Sequence, residues 1–173
     1  LVGGKLLRFD RRTIDSAGQF LTRSTRVVER GYGRPDGPET EAEGYIFSVC
    51  GAALACRRDM IEDVSVGGQF FDEAFFAFSE DADVGWRARL AGWRAWYAPR
   101  AVARHYRSGS AEPAGRLSGR AAILRRPSAI RTHILRNRYL TLVKNDRASH
   151  LLRDAAFVIG REAALAAVAA ASG

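Results

Sequence analysis

The sequence predicts an α/β fold, on three observations. Apolar runs of strand length alternate with segments of helical periodicity. Clusters of Gly, Pro and Asp punctuate the boundaries between them. The chain has 173 residues, 47% of them AVILMFWYC and 10% aromatic, which suits one well-cored domain and excludes global disorder. No run of about 18 apolar residues occurs, so no membrane span is expected. Leu1-Val2-Gly3-Gly4-Lys5 is not a signal peptide. The sole methionine is Met60, so the expectation is a processed chain or a piece of a longer one.

Residues 1–44 are Gly-rich and polar, with short strands expected near 5–9 and 19–22. The turn formers of 31–38 run into the acidic stretch 39–43, which reads as an exposed loop. Residues 45–55 form a continuous apolar run, as in a strand buried on both faces. At about 3.3 Å per residue such a strand separates Cys50 from Cys56 by roughly 20 Å, too far for a disulfide. They read as buried thiols of a reducing compartment, and two are too few for a zinc site. A short helix is expected over 58–64, stopping at Gly67-Gly68. Five phenylalanines crowd residues 70–78. A helix then runs from Glu80 to about Ala91, with Ser79 as N-cap and Gly92 as its stop. Residues 94–98 and 101–105 read as strands separated by Pro99, and 108–118 as a flexible linker. From Ala121 the pattern turns helical, and the tail 155–171 is Ala-rich, broken by Arg161 and Glu162.

Charge is unevenly placed. Residues 116–153 hold ten basic residues and one acid, Asp146, a net +9 against +8 for the whole chain. A local basic stretch points to phosphates, lipid headgroups or nucleic acid. Its arginines alternate with aliphatics, which favours an interfacial amphipathic helix over nucleic-acid binding. A solvated helix face covering the domain accounts for it equally well.

The densest chemical feature is Ser79-Glu80-Asp81-Ala82-Asp83-Val84-Gly85-Trp86-Arg87. Acids in a first helical turn suit the helix dipole, and Asp83 with Arg87 is an i,i+4 pair. The alternative is a general base held by a rigid helix start and partly desolvated by the phenylalanines.

Gly51-Ala52-Ala53-Leu54-Ala55-Cys56-Arg57-Arg58-Asp59, Gly67-Gly68-Gln69-Phe70-Phe71-Asp72-Glu73-Ala74-Phe75-Phe76 and Glu80-Asp81-Ala82-Asp83-Val84-Gly85-Trp86-Arg87, with Gly92-Trp93 after them, resemble the acceptor-side half of family 2 glycosyltransferases. The bacterial rhamnosyltransferase-like group is nearest in pattern. The likeness covers residues 44–110 strongly and 1–43 weakly, and Arg136-Asn137-Arg138-Tyr139-Leu140 resembles the segment after the catalytic domain.

The resemblance implies a partial GT-A domain over 1–110, lacking its N-terminal nucleotide-binding half. A linker over 111–120 and a basic amphipathic helical extension over 121–173 would follow. It implies inverting transfer from a nucleotide-diphospho-sugar donor to a hydroxyl of a glycan or lipid-linked acceptor, in cell-surface polysaccharide synthesis. Asp81 matches the general base and Glu80 would orient it or the acceptor. Trp93 and Asp83 are candidates for acceptor binding, although Asp83 also reads as a structural partner of Arg87. His105 matches a residue that completes a divalent metal site (Mg2+ or Mn2+) in some members, and is otherwise a strand-end surface histidine. Most of that metal's ligands would lie in the missing half, since no donor-type Asp-x-Asp is found; Asp81-Ala82-Asp83 has the spelling but sits in the acceptor helix. Trp86 and Trp96 read as packing. Arg136 and Arg138 would meet either the donor diphosphate or a membrane. The expected setting is cytoplasmic, peripheral at the inner face of a bacterial plasma membrane, with an anionic membrane surface as partner and no nucleic acid. The fragment alone is expected to be incomplete. The competing class is a non-catalytic module that binds anionic lipid or polymer through the Arg-rich helices.

Overall fold

The computed structural model describes residues 1–106 and 127–171. The linker expected at 108–118 and the helical start at 121 lie outside them. The fold is mixed α/β, as its sequence class predicts. In chain order the elements are β1 (Val2–Leu7), β2 (Ile14–Ser16), β3 (Gln19–Leu21), β4 (Val27–Glu29), β5 (Gly44–Ile46), β6 (Leu54–Ala55), α1 (Arg58–Val64), α2 (Glu80–Leu90), β7 (Ala95–Arg104), α3 (Ser128–Asn145), α4 (Ala148–Arg153) and α5 (Ala155–Ala170). Single 3-10 turns occupy Pro38–Thr40 and Glu73–Phe75.

β1 is the organising strand. β7 lies parallel along one edge, while β2 and β6 pair antiparallel with opposite ends of the other edge. β5 extends the sheet beyond β7, and β3–β4 is a separate hairpin. The core of Leu7, Ile14, Ile46, Met60, Val84 and Tyr97 is closed to solvent by α1 and α2.

Pro99 does not end a strand. β7 is continuous, and its register against β1 jumps from Gly4↔Ala98 to Lys5↔Val102, so the proline sits in a bulge that needs no ladder N–H. A Cβ on Gly4 would lie 2.1 Å from the Ala101 carbonyl oxygen, so the bulge requires glycine there.

The apolar run 45–55 is likewise not one strand. Only its ends are strands; in its middle Phe47 N–H donates to Gln19 O at 2.9 Å, and Ser48 O accepts from Gln19 N–H at 2.8 Å. Continuous apolarity cannot distinguish a buried strand from a buried loop. Both cysteines are free thiols, Cys50 buried and Cys56 half-buried.

The acidic loop is pinned to the sheet. Lys5, 3% exposed, reaches Asp36 at 2.8 Å and also Glu41. Burial alone would depress the Lys5 ammonium, but these carboxylates outweigh it and raise its pKa. Tyr97 O–H donates to Thr40 O at 2.9 Å from beneath.

α2 is held from within. The Asp83 side chain is wholly buried, and its Oδ2 accepts from Arg87 Nε at 2.8 Å and Lys144 Nζ at 3.1 Å. Its Oδ1 accepts from Asn145 Nδ2 at 2.7 Å. Arg87 continues to the carbonyls of Val64 and Phe70, and Lys144 to Asp72 at 2.6 Å. The helical extension is therefore docked on the sheet domain through α2. Asp83→Ala removes the acceptor that Arg87, Lys144 and the buried Asn145 share and is expected to cost about 3 kcal/mol in urea unfolding. Arg58→Ala, which removes an exposed i,i+4 pair with Glu62, is expected to change the same measurement by less than about 0.5 kcal/mol.

Candidate functional site

A cavity of about 700 Å³ opens between the β3–β4 hairpin, the loop at Cys50–Gly51–Ala52, the start of α2, and helices α3 and α5. That volume is in the range of small-ligand sites. Glu80, Asp81, Trp86, His105 and Arg138, which the sequence singles out, all line it.

The approach to α2 is strained. Phe76, Phe78 and Ser79 have φ of 59°, 74° and 70°, in the left-handed region that non-glycine residues avoid. Ser79 therefore does not cap the helix with its side chain, contrary to the sequence expectation; its carbonyl receives Asp83 N–H at 2.9 Å. Asn137, fully buried on α3, holds the turn, its Nδ2 donating to the carbonyls of Phe75, Ala77 and Phe78 at 2.7–2.8 Å. Arg136 donates to Ala74 O beside it.

The turn delivers Asp81 to the cavity wall. Asp81 Oδ2 accepts from Gln19 Nε2 at 3.0 Å and Gly51 N at 2.9 Å, and Oδ1 from Ala82 N at 2.7 Å. An ionised carboxylate has about four acceptor positions, so these bonds fix its plane and leave one position, on Oδ1. Close packing supports the arrangement. Ser48 Oγ–H donates to Asp81 O at 2.9 Å, and a Cβ on Gly85 would lie 2.0 Å from that Oγ.

Glu80 differs from its neighbour. Its Oε2 is buried without a hydrogen-bond partner. Burial, reinforced by the Asp81 charge, raises its pKa above the ordinary 4.5.

His105 Nδ1 lies 2.8 Å from Oδ2 of the buried Asp15. The group nearest to a metal-binding set is Glu29, Cys50 and Asp81, whose ligand atoms lie within 4.8 Å of one another. It does not fit Mg2+ or Mn2+, which prefer oxygen ligands. A thiol is one of the three, and Glu29 already accepts from Ser16 Oγ at 2.5 Å and Gln19 Nε2 at 3.1 Å. His105 is not in that group.

Three predicted site residues lie elsewhere. Asp83 is sealed in the α2–α3 contact, so its place as an acceptor-binding residue is corrected to a structural one. Trp93 packs on the far end of α2, with its Nε1 donating to Asp63 at 2.9 Å. Arg136 faces the Glu73–Phe75 turn. Trp86 and Trp96 pack edge-to-face with Phe47 and Tyr45, as expected. Gln19, Gly51, Asn137 and Arg161 serve the site without having been singled out. Arg161 carried a visible signal as a charge interrupting an Ala-rich helix, and Gly51 and Asn137 lay inside the motif segments without a role of their own.

Compared with known proteins, the chain matches no family model, no curated sequence and no solved structure.

Because the native pKa of Glu80 lies above its unfolded value, its ionisation opposes folding. Its contribution to stability is therefore present at low pH and lost as pH rises from the ordinary value through the native one. Glu80→Gln is expected to flatten that limb in urea unfolding followed against pH. In Asp81→Asn, carboxyl-carbon NMR should find the Glu80 titration moved down.

Proposed function

We propose that this chain carries the acceptor-side site of an inverting family 2 glycosyltransferase with a GT-A fold, and that Asp81 is its general base. The observation that supports this reading is the Asp81 carboxylate itself. Three hydrogen bonds fix it on the wall of a cavity of about 700 Å³, and they leave one acceptor position on Oδ1. The order of motifs along the chain supports the same reading.

In this mechanism an acceptor hydroxyl donates its hydrogen bond to Asp81 Oδ1. As the hydroxyl oxygen attacks the anomeric carbon, its proton passes to Asp81. The bond from that carbon to the diphosphate oxygen breaks on the opposite face, and the nucleoside diphosphate leaves with its electron pair. One displacement inverts the anomeric centre and needs only one carboxylate at the attacking oxygen. Glu80, whose pKa burial raises, lines the same wall beside Asp81.

The test is Asp81→Asn in the protein as its gene encodes it. Nucleoside diphosphate release is measured from a panel of nucleotide sugars with membrane-extracted acceptors. Transfer is expected to fall about 1,000-fold with the unfolding midpoint retained. Unchanged transfer removes Asp81 as the base.

A second reading rests on a different surface. Val143, Leu152, Phe157 and Ile159 are exposed on α3, α4 and α5, and Arg147 and Arg153, at the two ends of α4, are exposed too. No helix among the described residues is long and apolar enough to cross a membrane. This surface suits a peripheral seat on anionic lipid. Co-sedimentation with phosphatidylcholine vesicles is expected only when phosphatidylglycerol is included, and to weaken as salt is raised. Equal binding to both vesicles, or to neither, excludes it.

A further inference from the structure

One end of the sheet carries a charged surface outside the cavity. β1 ends at Leu7 and β2 begins at Ile14, with a tight turn between them. In it Arg8 N–H donates to Thr13 O at 2.9 Å and Arg11 N–H to Arg8 O at 3.0 Å. The loop after β4 is laced to this turn, Ile14 N–H donating to Arg34 O at 2.8 Å and Asp36 N–H to Arg12 O at 2.7 Å. The end of β7 arrives on the opposite edge of β1, where His105 N–H donates to Leu7 O at 2.9 Å. Segments 8–12, 32–34 and 104–106, far apart in sequence, therefore meet at the end of β1. Of their residues only His105 lines the cavity.

The three segments hold five arginines and one acid. The acid, Asp10, is folded back into the turn, where it accepts from Arg12 N–H, Thr13 N–H and Thr13 Oγ–H at 2.5–3.0 Å. Arg11, Arg12 and Arg34 are exposed, and none of their guanidiniums lies at ion-pair distance from a carboxylate among the described residues. Aromatic rings stand between these cations. Phe9 is 60% exposed and Tyr106 70%, and the two meet edge to face with centroids 5.6 Å apart. Arg8 lies 4.8 Å over the ring of Tyr32, itself 40% exposed.

Exposed arginines attract phosphates of every kind, and their neighbours decide which kind fits. An acyl layer takes up aliphatic side chains, which residues 116–153 supply and these three segments lack altogether. Rings set among guanidiniums suit unpaired bases, whose faces stack while the cations hold the phosphates between them. A duplex hides those faces. The expectation of no nucleic acid rests on residues 116–153, where arginines alternate with aliphatics, and does not extend to this surface.

We infer that the surface formed by the β1–β2 turn, the loop after β4 and the end of β7 binds single-stranded nucleic acid. The inference goes beyond the glycosyl-transfer reading and does not depend on it.

Fluorescence anisotropy of the full chain with a labelled oligothymidylate of about 12 nucleotides tests it. The single strand is expected to bind about tenfold more tightly than a duplex of the same length. Phe9→Ala and Tyr106→Ala are each expected to weaken binding about tenfold without changing its salt dependence. Arg11→Gln and Arg34→Gln are each expected to reduce the slope of log affinity against log salt by about 0.7, the share of one phosphate contact. Phe9→Leu keeps the apolar bulk without a stacking face and should bind as weakly as Phe9→Ala; a merely structural role for the ring would leave it close to wild type. Arg58→Gln, on α1, should change nothing. Equal affinity for the duplex, or competition by inorganic polyphosphate as strong as by the oligonucleotide at equal phosphate, means attraction of charge alone and overturns the proposal. Phosphatidylglycerol vesicle binding that Phe9→Ala abolishes, with oligonucleotide binding unmoved by the same change, overturns it in favour of a lipid seat. Asp81 lies outside this surface, so a failure here leaves the transfer assay untouched, and a failed transfer assay leaves this surface standing.

Discussion

A carboxylate that no water reaches sets the terms for the rest of this molecule. Burying the charge of Asp83 is tolerable only if cations and donors come to it, and they come from different parts of the chain. Arg87 is one turn along the same helix, whereas Lys144 and Asn145 lie at the end of α3. Each partner then reaches further, Arg87 to the carbonyls of Val64 and Phe70, and Lys144 to Asp72. One buried group therefore fixes the end of α1, the Phe-rich segment, α2 and α3 against one another. Asp81 is two residues away on the same helix, so its position is inherited from that network.

The strained turn before α2 belongs to the same economy. Three non-glycine residues in the left-handed region cost about 1–3 kcal/mol each, and a free loop would relax. Asn137 prevents this by giving its amide to three carbonyls of the turn. The strain and the amide together aim the start of α2 at the cavity, where Gln19 and Gly51 complete the orientation of Asp81. A carboxylate on an unstrained helix start would be free to swing toward solvent. For the general base proposed above this rigidity would have a direct use, because proton transfer depends on heavy-atom distances of about 2.6–3.2 Å.

How much of this was legible depended on the range of the interaction. α1 was read from sequence at its exact bounds and α2 to within a residue, because helical periodicity and a glycine stop are local signals. The bulge at Pro99 was read as a break, since a proline shows that a ladder N–H is missing but not whether the strand resumes. The run 45–55 misled for a related reason: only Ile46 and residues 48–50 are buried, Tyr45 and Ala55 are exposed, and the middle of the run pairs with Gln19 some thirty residues earlier. Glu80, Asp81, His105 and Arg138 were named from sequence and line one cavity. Asp83 and Asn137 were not legible as organising groups. Apart from Arg87, which the i,i+4 spacing did show, their partners lie about sixty residues away, and no local pattern encodes a carboxylate or an amide that is wholly enclosed.

The basic stretch resolves the same way once its residues are placed. Counted along the chain, residues 116–153 are a block of net positive charge that invites a surface reading. In the fold, two of the described cations turn inward. Lys144 bonds the buried Asp83 and Arg138 enters the cavity wall, whereas Arg136, itself exposed, binds a backbone carbonyl. Arg147 and Arg153 remain exposed, beside apolar side chains. The charge thus divides between two tasks with different physics. The inward set works at low local dielectric, where one unmet guanidinium donor is worth far more than a solvated one. The outward set works in water and is screened by salt. Salt titration separates them: the proposed attraction of the outer face to anionic lipid must weaken steeply, while the ion pairs around the buried Asp83 must hold.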